Sequence, residues 1–314
     1  MRILQILLDK RQPFFVPYHY INTLLLRKKI NKAVTPRQIF ILLTFDVENS
    51  WGDEEQESQK ENEIFLKIIQ EIRSSNSTFF LPGNLVAGLK TTLKQVAEEN
   101  EIGLHGHHHE LWRSAHFVDK KPVKDVEKIS LLEDSLREFE RNGVPSPYSF
   151  RAPYMWCKRS DLKLLGSMGF KVDSSDPSQL GMTPARNNGE IIRIPITAGP
   201  LPYFKKRSGL IYTRFRLFNM KLLRECNDRQ FIEQTNQIVK MQHYLKQVPH
   251  LVFMAHSWEF YERAGETKDE NYYCSHENYK ILRSKFELLE KNYSVRYVTV
   301  NAFRRLLKKQ NHIH

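Results

Sequence analysis

From Ile39 onward the chain alternates between two kinds of apolar pattern, and that alternation limits the folds open to it more than any other feature. Ile39–Phe45 is an apolar run of strand length, as expected for a strand buried on both faces. Over Asn62–Ser74 the pattern changes, with Ile64, Ile68 and Ile72 recurring on one helical stripe. Thr78–Leu81 then reads as a strand closed by Pro82-Gly83, residues 85–99 as a helix, and Ile102–Leu104 as a short strand. Val123–Arg141 reads as a long amphipathic helix ended by Asn142-Gly143. Further strands are predicted at Tyr148–Phe150, Phe170–Val172, Ile191–Ile196, Leu251–Ala255 and Val295–Val300. Strands alternating with helices imply a parallel sheet. Roughly seven or eight such units predict an α/β fold of the (β/α) barrel type, closed or partly open, with its chemistry at the C-terminal ends of the strands.

The barrel is predicted over residues 38–310, after an N-terminal extension at 1–37. Residues 174–250 carry Pro177, Pro184, Pro195, Pro200 and Pro202 ahead of basic helical residues, and read as an irregular excursion over one face. The extension mixes Phe14, Phe15, Tyr18 and Tyr20 with Arg27, Lys28, Lys29 and Lys32. That mixture suits packing on the main domain, or a peripheral contact with an anionic membrane surface or a partner. The opening apolar run is broken by Asp9, Lys10 and Arg11, too soon for a secretory signal. No stretch approaches the roughly 18–20 apolar residues of a membrane span. The three cysteines, Cys157, Cys226 and Cys274, are far apart and form no C-x-x-C, which argues against a disulfide framework and suits a reducing compartment. These features predict a cytoplasmic protein able to reach the inner face of a membrane. Lys and Arg exceed Asp and Glu by 48 to 36, a net charge of +12. Such a surplus suits an acidic partner, but no nucleic-acid-binding motif accompanies it and none is expected to bind.

The polar residues of interest follow the predicted strands. The first strand runs into Asp46-Val47-Glu48, and carboxylates at i and i+2 point the same way if the strand continues. Two acids at the end of an apolar strand are costly unless a cation or donors receive them, although a helix cap or solvated loop would also accept them. The third strand ends in His105-Gly106-His107-His108-His109. His105 and His109, four apart, suit a divalent metal through two imidazole nitrogens, whereas His107 and His108 point elsewhere. One carboxylate and two histidines leave an open position, as in a catalytic metal site. The second carboxylate is then free to act as a base on an activated water. Arg151 follows the fourth strand and could hold that carboxylate by a bidentate bond. His256 follows Leu251–Ala255 and could protonate a departing amine. Trp51, Trp156 and Trp258 each follow a motif closely, suiting either a sugar face or packing at the rim.

Together these residues resemble the polysaccharide deacetylase family, the NodB-homology or carbohydrate esterase family 4 domain, over about residues 38–305. Thr44-Phe45-Asp46-Val47-Glu48 resembles the family's T-F-D-D motif, and His105-Gly-His-His-His109 its H-[ST]-x-x-H motif. Arg151-Ala-Pro-Tyr154 matches R-x-P-Y; Val172-Asp173-Ser-Ser and Val252-Phe-Met-Ala-His256 resemble the fourth and fifth motifs. The resemblance implies a distorted (β/α) barrel that hydrolyses acetamido groups, usually on N-acetylglucosamine residues, with zinc or another divalent metal. It implies Asp46 as catalytic base, His105 and His109 as metal ligands, and Arg151 as the residue orienting Asp46. It further implies the Tyr154 backbone N–H at the oxyanion, His256 as general acid and Asp173 tuning it. Trp51 and Trp258 would then contact substrate. Val47 stands where the usual second, metal-binding Asp would be. A branch of the family has D-x-[DE] instead, which Glu48 fits as the metal carboxylate. Thr-Phe-Asp-Val-Glu with His-Ser-Trp-Glu is most similar to members encoded with exopolysaccharide biosynthesis, a branch that also holds amidohydrolases of small non-sugar amides.

Two rival classes remain. A two-histidine, one-carboxylate set also serves non-haem iron oxygenases, but there H-x-[DE] usually precedes a distant His, the reverse of the order here. A non-catalytic protein gripping an anionic ligand through Lys205-Lys206-Arg207, Arg214, Arg216 and Arg304-Arg305 is the other.

Overall fold

The computed structural model describes residues 25, 28, 30, 32–49, 55–72, 76–113, 120–155, 157–178, 186–188, 191–199, 203–207, 210–214, 216–261 and 274–311. Its centre is β1 (Gln38–Asp46), which lies parallel to β2 (Ser77–Leu81) on one side and to β10 (His250–His256) on the other. The sheet continues through β3 (Glu101–Leu104), β4 (Ser149–Phe150), β5 (Val172–Asp173) and β7 (Ile191–Arg193), all parallel. Seven parallel strands, in the order β10-β1-β2-β3-β4-β5-β7, curl into a half-barrel of the distorted NodB-like type. β6 (Arg186–Asn188) adds an antiparallel edge to β7, and β11 (Ser294–Tyr297) pairs with the N-terminal end of β1.

Alternation along β1 sorts its side chains between two cores. Ile39, Ile41, Leu43, Phe45 and Val47 join the larger cluster, built with the surrounding helices. These helices are α1 (Glu55–Ile72), α2 (Val86–Val96), α3 (Asp125–Arg141), α4 (Arg159–Ser167), α5 (Met220–Glu225), α6 (Asp228–Tyr244) and α7 (Glu277–Asn292). Leu42 faces the other way, into a smaller cluster with Phe80, Val172, Ile192, Ile194 and Val252. Val300 and Phe303, from the final helix α8 (Val300–Asn311), complete that cluster. Thr44, Asp46 and Glu48 share Leu42's parity. The inner face of the half-barrel therefore changes from apolar, where α8 packs, to polar at the C-terminal ends of the strands.

The sequence expectations differ from the structure in several places. α1 begins at Glu55 rather than near Asn62, and β4, β5 and β7 are two or three residues long. Val298–Val300 is not a strand: Thr299 Oγ1 accepts from the backbone N–H of Ala302 and caps α8, so Val300 opens a helix. Residues 174–250 are not wholly an excursion, since they contribute β6 and β7 to the sheet and then α5 and α6. A separate hairpin, β8 (Tyr203–Arg207) with β9 (Leu210–Arg214), carries the Lys205-Lys206-Arg207 cluster. Of the N-terminal extension, residues 1–24 lie outside the described residues, while Ile30 is buried against Met241 and Leu245. Cys157, Cys226 and Cys274 are all free thiols. Among the described residues no helix is long and apolar enough to cross a membrane.

Candidate metal centre

The strand order brings together residues far apart in the chain. Asp46 and His256 are register partners across β1 and β10, and Phe150, directly before Arg151, is paired with both Leu104 and Asp173. Five motifs thus end on one rim. Beyond Asp46 the ladder continues for one more bond, Val47 N–H to the Phe80 carbonyl at 2.7 Å. That extended backbone keeps Glu48 on the same face as Asp46.

Glu48, His105 and His109 offer one ligand atom each, all within 4.8 Å of one another. Glu48 Oε2 lies 3.3 Å from His105 Nε2 and 2.7 Å from His109 Nε2. It is buried and no well-formed hydrogen bond satisfies it. His105 Nδ1 faces the Arg151 carbonyl at 2.8 Å, so its N–H donates there and Nε2 presents a lone pair to the carboxylate. A lone pair facing an anion is repulsive unless a proton or a metal ion lies between. Protons show their preference in the titration of the group. Burial disfavours the cation of His105, but the negative charges of Asp46 and Glu48 overcome it and raise its pKa. Burial likewise opposes ionisation of Glu48, yet His109 and His105 hold its pKa well below the ordinary carboxylate value. Two imidazoles and one carboxylate around a common point form the donor set of a catalytic zinc or similar divalent ion, so these residues fit the metal.

The loop that supplies the histidines is locally constrained. Gly106 has φ +74°, and a Cβ there would lie 2.8 Å from Glu110 Oε1. The Glu110 carboxylate accepts the backbone N–H groups of His107 and His108 and the indole N–H of Trp112, tightening the turn. His109 itself sits at φ +55°. His107 points away to Ser135 Oγ at 2.9 Å.

Asp46 and Arg151 form a fully buried pair, Nη1 to Oδ1 at 2.6 Å. The bond is not the bidentate fork expected from the sequence. Nη2 instead donates to Thr44 Oγ1 (2.8 Å) and Ser174 Oγ (3.0 Å), and Nε donates to the Ser174 carbonyl (3.1 Å). Asp46 Oδ2 is left 4.0 Å from His105 Nε2, facing the metal group. Tyr154 follows in a left-handed turn (φ 60°), its ring against His109 with centroids 4.7 Å apart.

His256 has a carboxylate behind it, and that carboxylate is Glu259. Glu259 Oε2 accepts the His256 backbone N–H (2.8 Å) and lies 3.1 Å from its Nδ1. Burial works against protonation of His256, but Glu259, with Glu48 and Asp46, outweighs it and pushes the pKa up to about 9. Asp173 is engaged elsewhere, with Arg193 Nε at 2.8 Å and the Ser175 hydroxyl; Ser175 Oγ in turn accepts the Ala152 N–H at 2.8 Å. Asp173 thereby braces the Arg151 turn from below. Trp258 stacks on His256 (centroids 4.6 Å apart, planes at 15°) and donates its indole N–H to Glu48 Oε1 at 3.0 Å. Trp51 and Trp156 lie outside the described residues. Sequence reasoning missed Glu259, Thr44, Ser174 and Ser175. For Glu259 a signal existed, since a Glu three residues after His256 is the spacing of a capping box.

Fold and site together define an α/β half-barrel with a buried carboxylate–histidine group at the C-terminal ends of its strands, a candidate metal centre. No sequence-family profile and no curated protein matches the chain. Solved structures do. A Mycobacterium smegmatis protein assigned to the polysaccharide deacetylases superposes with TM-score 0.57 at 16% identity, covering 88% of this chain and 92% of its own. The 4-alpha-glucanotransferase from Thermococcus litoralis gives TM-score 0.53 at 13% identity, covering 85% of this chain and 40% of its own. A family 4 carbohydrate esterase pseudoenzyme from Bacillus anthracis gives TM-score 0.44 at 14% identity, over 85% of this chain and 65% of its own. At these identities the first two establish the shared fold, and a deacetylase assignment beside a glucanotransferase shows that this fold alone does not fix a chemistry.

Proposed function

We propose that this protein is a metal-dependent hydrolase that removes N-acetyl groups from an amino sugar in a polysaccharide or glycan precursor. The observation that carries the reading is the convergence on one rim of an arginine-held carboxylate, a histidine backed by the Glu259 carboxylate and a three-donor metal group. Glu48, His105 and His109 would hold the ion. When bound, a divalent ion supplies Lewis-acid polarisation of a carbonyl and lowers the pKa of a neighbouring water.

The rest is done by side chains. Asp46, its Oδ1 held by Arg151, takes a proton from the attacking water through Oδ2. The water oxygen adds to the acetamido carbon, and the backbone N–H of Tyr154 stabilises the oxyanion. As the C–N bond breaks, His256 gives its proton to the departing amine. The Glu259 carboxylate at its Nδ1 favours the charged imidazole for that step. Asp46 and His256 are register partners on adjacent strands, so base and acid stand next to each other on the rim. The D-x-E pattern of Asp46 and Glu48 supports placing the protein in the branch associated with exopolysaccharide biosynthesis, with residues 38–310 as the catalytic unit.

Metal analysis alongside acetate release from a panel of N-acetylated sugars, oligosaccharides and small amides tests this reading. Asp46→Asn is expected to retain the metal and lose about 10²–10⁴-fold in turnover, the usual worth of a general base. Wild-type turnover by that variant would sink the assignment. Release from small amides alone would move the substrate outside carbohydrates.

A further inference from the structure

The segment after β10 does more than present His256. Its four-residue turn, Ser257–Phe260, grips Glu48 at backbone and side chain together. Ser257 Oγ lies 3.3 Å from both the amide nitrogen and the carbonyl oxygen of Glu48, and donates to Asn62 Oδ1 at 2.6 Å. The indole of Trp258 then takes Glu48 Oε1 at 3.0 Å. The turn is itself anchored: the Glu259 carbonyl accepts the Asn278 side-chain amide (2.6 Å) and the Ser275 backbone N–H (3.0 Å). The stack on His256 fixes the plane of the indole, and with it the direction of its N–H.

The two oxygens of Glu48 are therefore in different situations. Oε1 is occupied by a neutral donor that does not change with pH. Oε2 is buried, lacks a well-formed hydrogen bond and faces the two imidazole nitrogens. We infer that Trp258 is a positioning residue that confines Glu48 to a single ligating oxygen. The inference rests on the metal reading above and adds to it a cause for the mode of ligation. A carboxylate free to rotate can offer both oxygens, the habit of large oxygen-seeking cations such as calcium. A carboxylate pinned through Oε1 offers one, beside two imidazoles, which suits a small ion with nitrogen affinity such as zinc or cobalt. A sugar-stacking role for Trp258 would leave the N–H without consequence, whereas here it is spent on the metal carboxylate.

The test uses the full chain and the metals alone. Zn²⁺ affinity is measured by competition with a chromophoric chelator, and ligation by the visible absorption of the Co²⁺-loaded protein. Two variants are compared with wild type: Trp258→Phe, and replacement of Trp258 by benzothienylalanine, which keeps the bicyclic shape and the stack but has sulfur in place of N–H. Loss of an outer-shell partner typically weakens a metal by about 10–100-fold. Both variants are expected to lose Zn²⁺ affinity in that range, and the Co²⁺ band is expected to change intensity as Oε1 is released. If the benzothienylalanine protein binds Zn²⁺ as wild type does and its Co²⁺ spectrum is unchanged, the inference is overturned while the metal site stands. If wild type itself binds neither metal, the metal reading and this inference fall together. Should Trp258→Phe not fold, the benzothienylalanine protein alone decides.

Discussion

Raising the pH of the metal-free protein from about 6 to about 10 is predicted to remove about 3 kcal/mol of stability that His256 contributes. Burial of the ring disfavours its cation, but the Glu259 hydrogen bond and the charges of Glu48 and Asp46 prevail. The pKa moves from 6.5 to about 9 in the folded protein. An unfolded chain leaves the imidazole near 6.5, and each unit of difference is worth about 1.4 kcal/mol. Because the folded value is the higher one, the contribution is complete below about pH 6.5 and declines as pH rises. It is gone above about pH 9. The assay is urea denaturation in chelator at several pH values, with wild type and His256→Gln side by side so that other titrating groups cancel. The stability gap between them should shrink by about 3 kcal/mol across the range. Glu259→Gln, which removes the strongest support for the cation, should flatten most of that slope. A gap that stays constant from pH 6 to 10 would refute the reasoning. Loading with Zn²⁺ offsets the charge on Glu48, so the decline should then begin at lower pH.

Three further outcomes are expected. Arg151→Met leaves the buried Asp46 carboxylate without its partner and should cost about 3–5 kcal/mol. A loss under about 1 kcal/mol in denaturant unfolding would contradict the pairing. Gly106→Ala combines a left-handed backbone with a Cβ 2.8 Å from Glu110, and should lower stability by about 2 kcal/mol and weaken metal binding. Calorimetry and chelator competition check both effects. Zn²⁺ at about 100 times its Kd should stabilise wild type by about 2.7 kcal/mol. His105→Ala and His109→Ala should each abolish that gain in the same thermal assay.

Much of the site was readable along the chain because its signals are local. A period of two places Asp46 and Glu48 on one face whatever the rest of the fold does. A strand end followed by His105 and His109, or by Arg151, or by His256, marks a polar rim above an apolar sheet. The partners of those residues were less readable. The resemblance pointed to Asp173 as the carboxylate behind His256, whereas the structure puts Glu259 there and gives Asp173 to Arg193 and Ser175. A fork of Arg151 on Asp46 alone was the simple expectation; Thr44 on β1 and Ser174, just after β5, divide it by each accepting from Nη2. Val298–Val300 looked like strand by composition, yet the Thr299 side chain favours a helix start, a local competition that hydrophobicity does not register.

The residues that carry chemistry, and the face and end of each strand on which they stand, were set by the order of amino acids, since alternation and strand length are short-range properties of the backbone. Which of them meet was set by the curl of the sheet. β10 returns to lie beside β1, so His256 becomes the neighbour of Asp46 and Trp258 reaches Glu48 across a separation of 210 residues. Such pairings depend on strand order and curvature, which arise from packing the whole chain around α8 and the outer helices, and no local pattern encodes them.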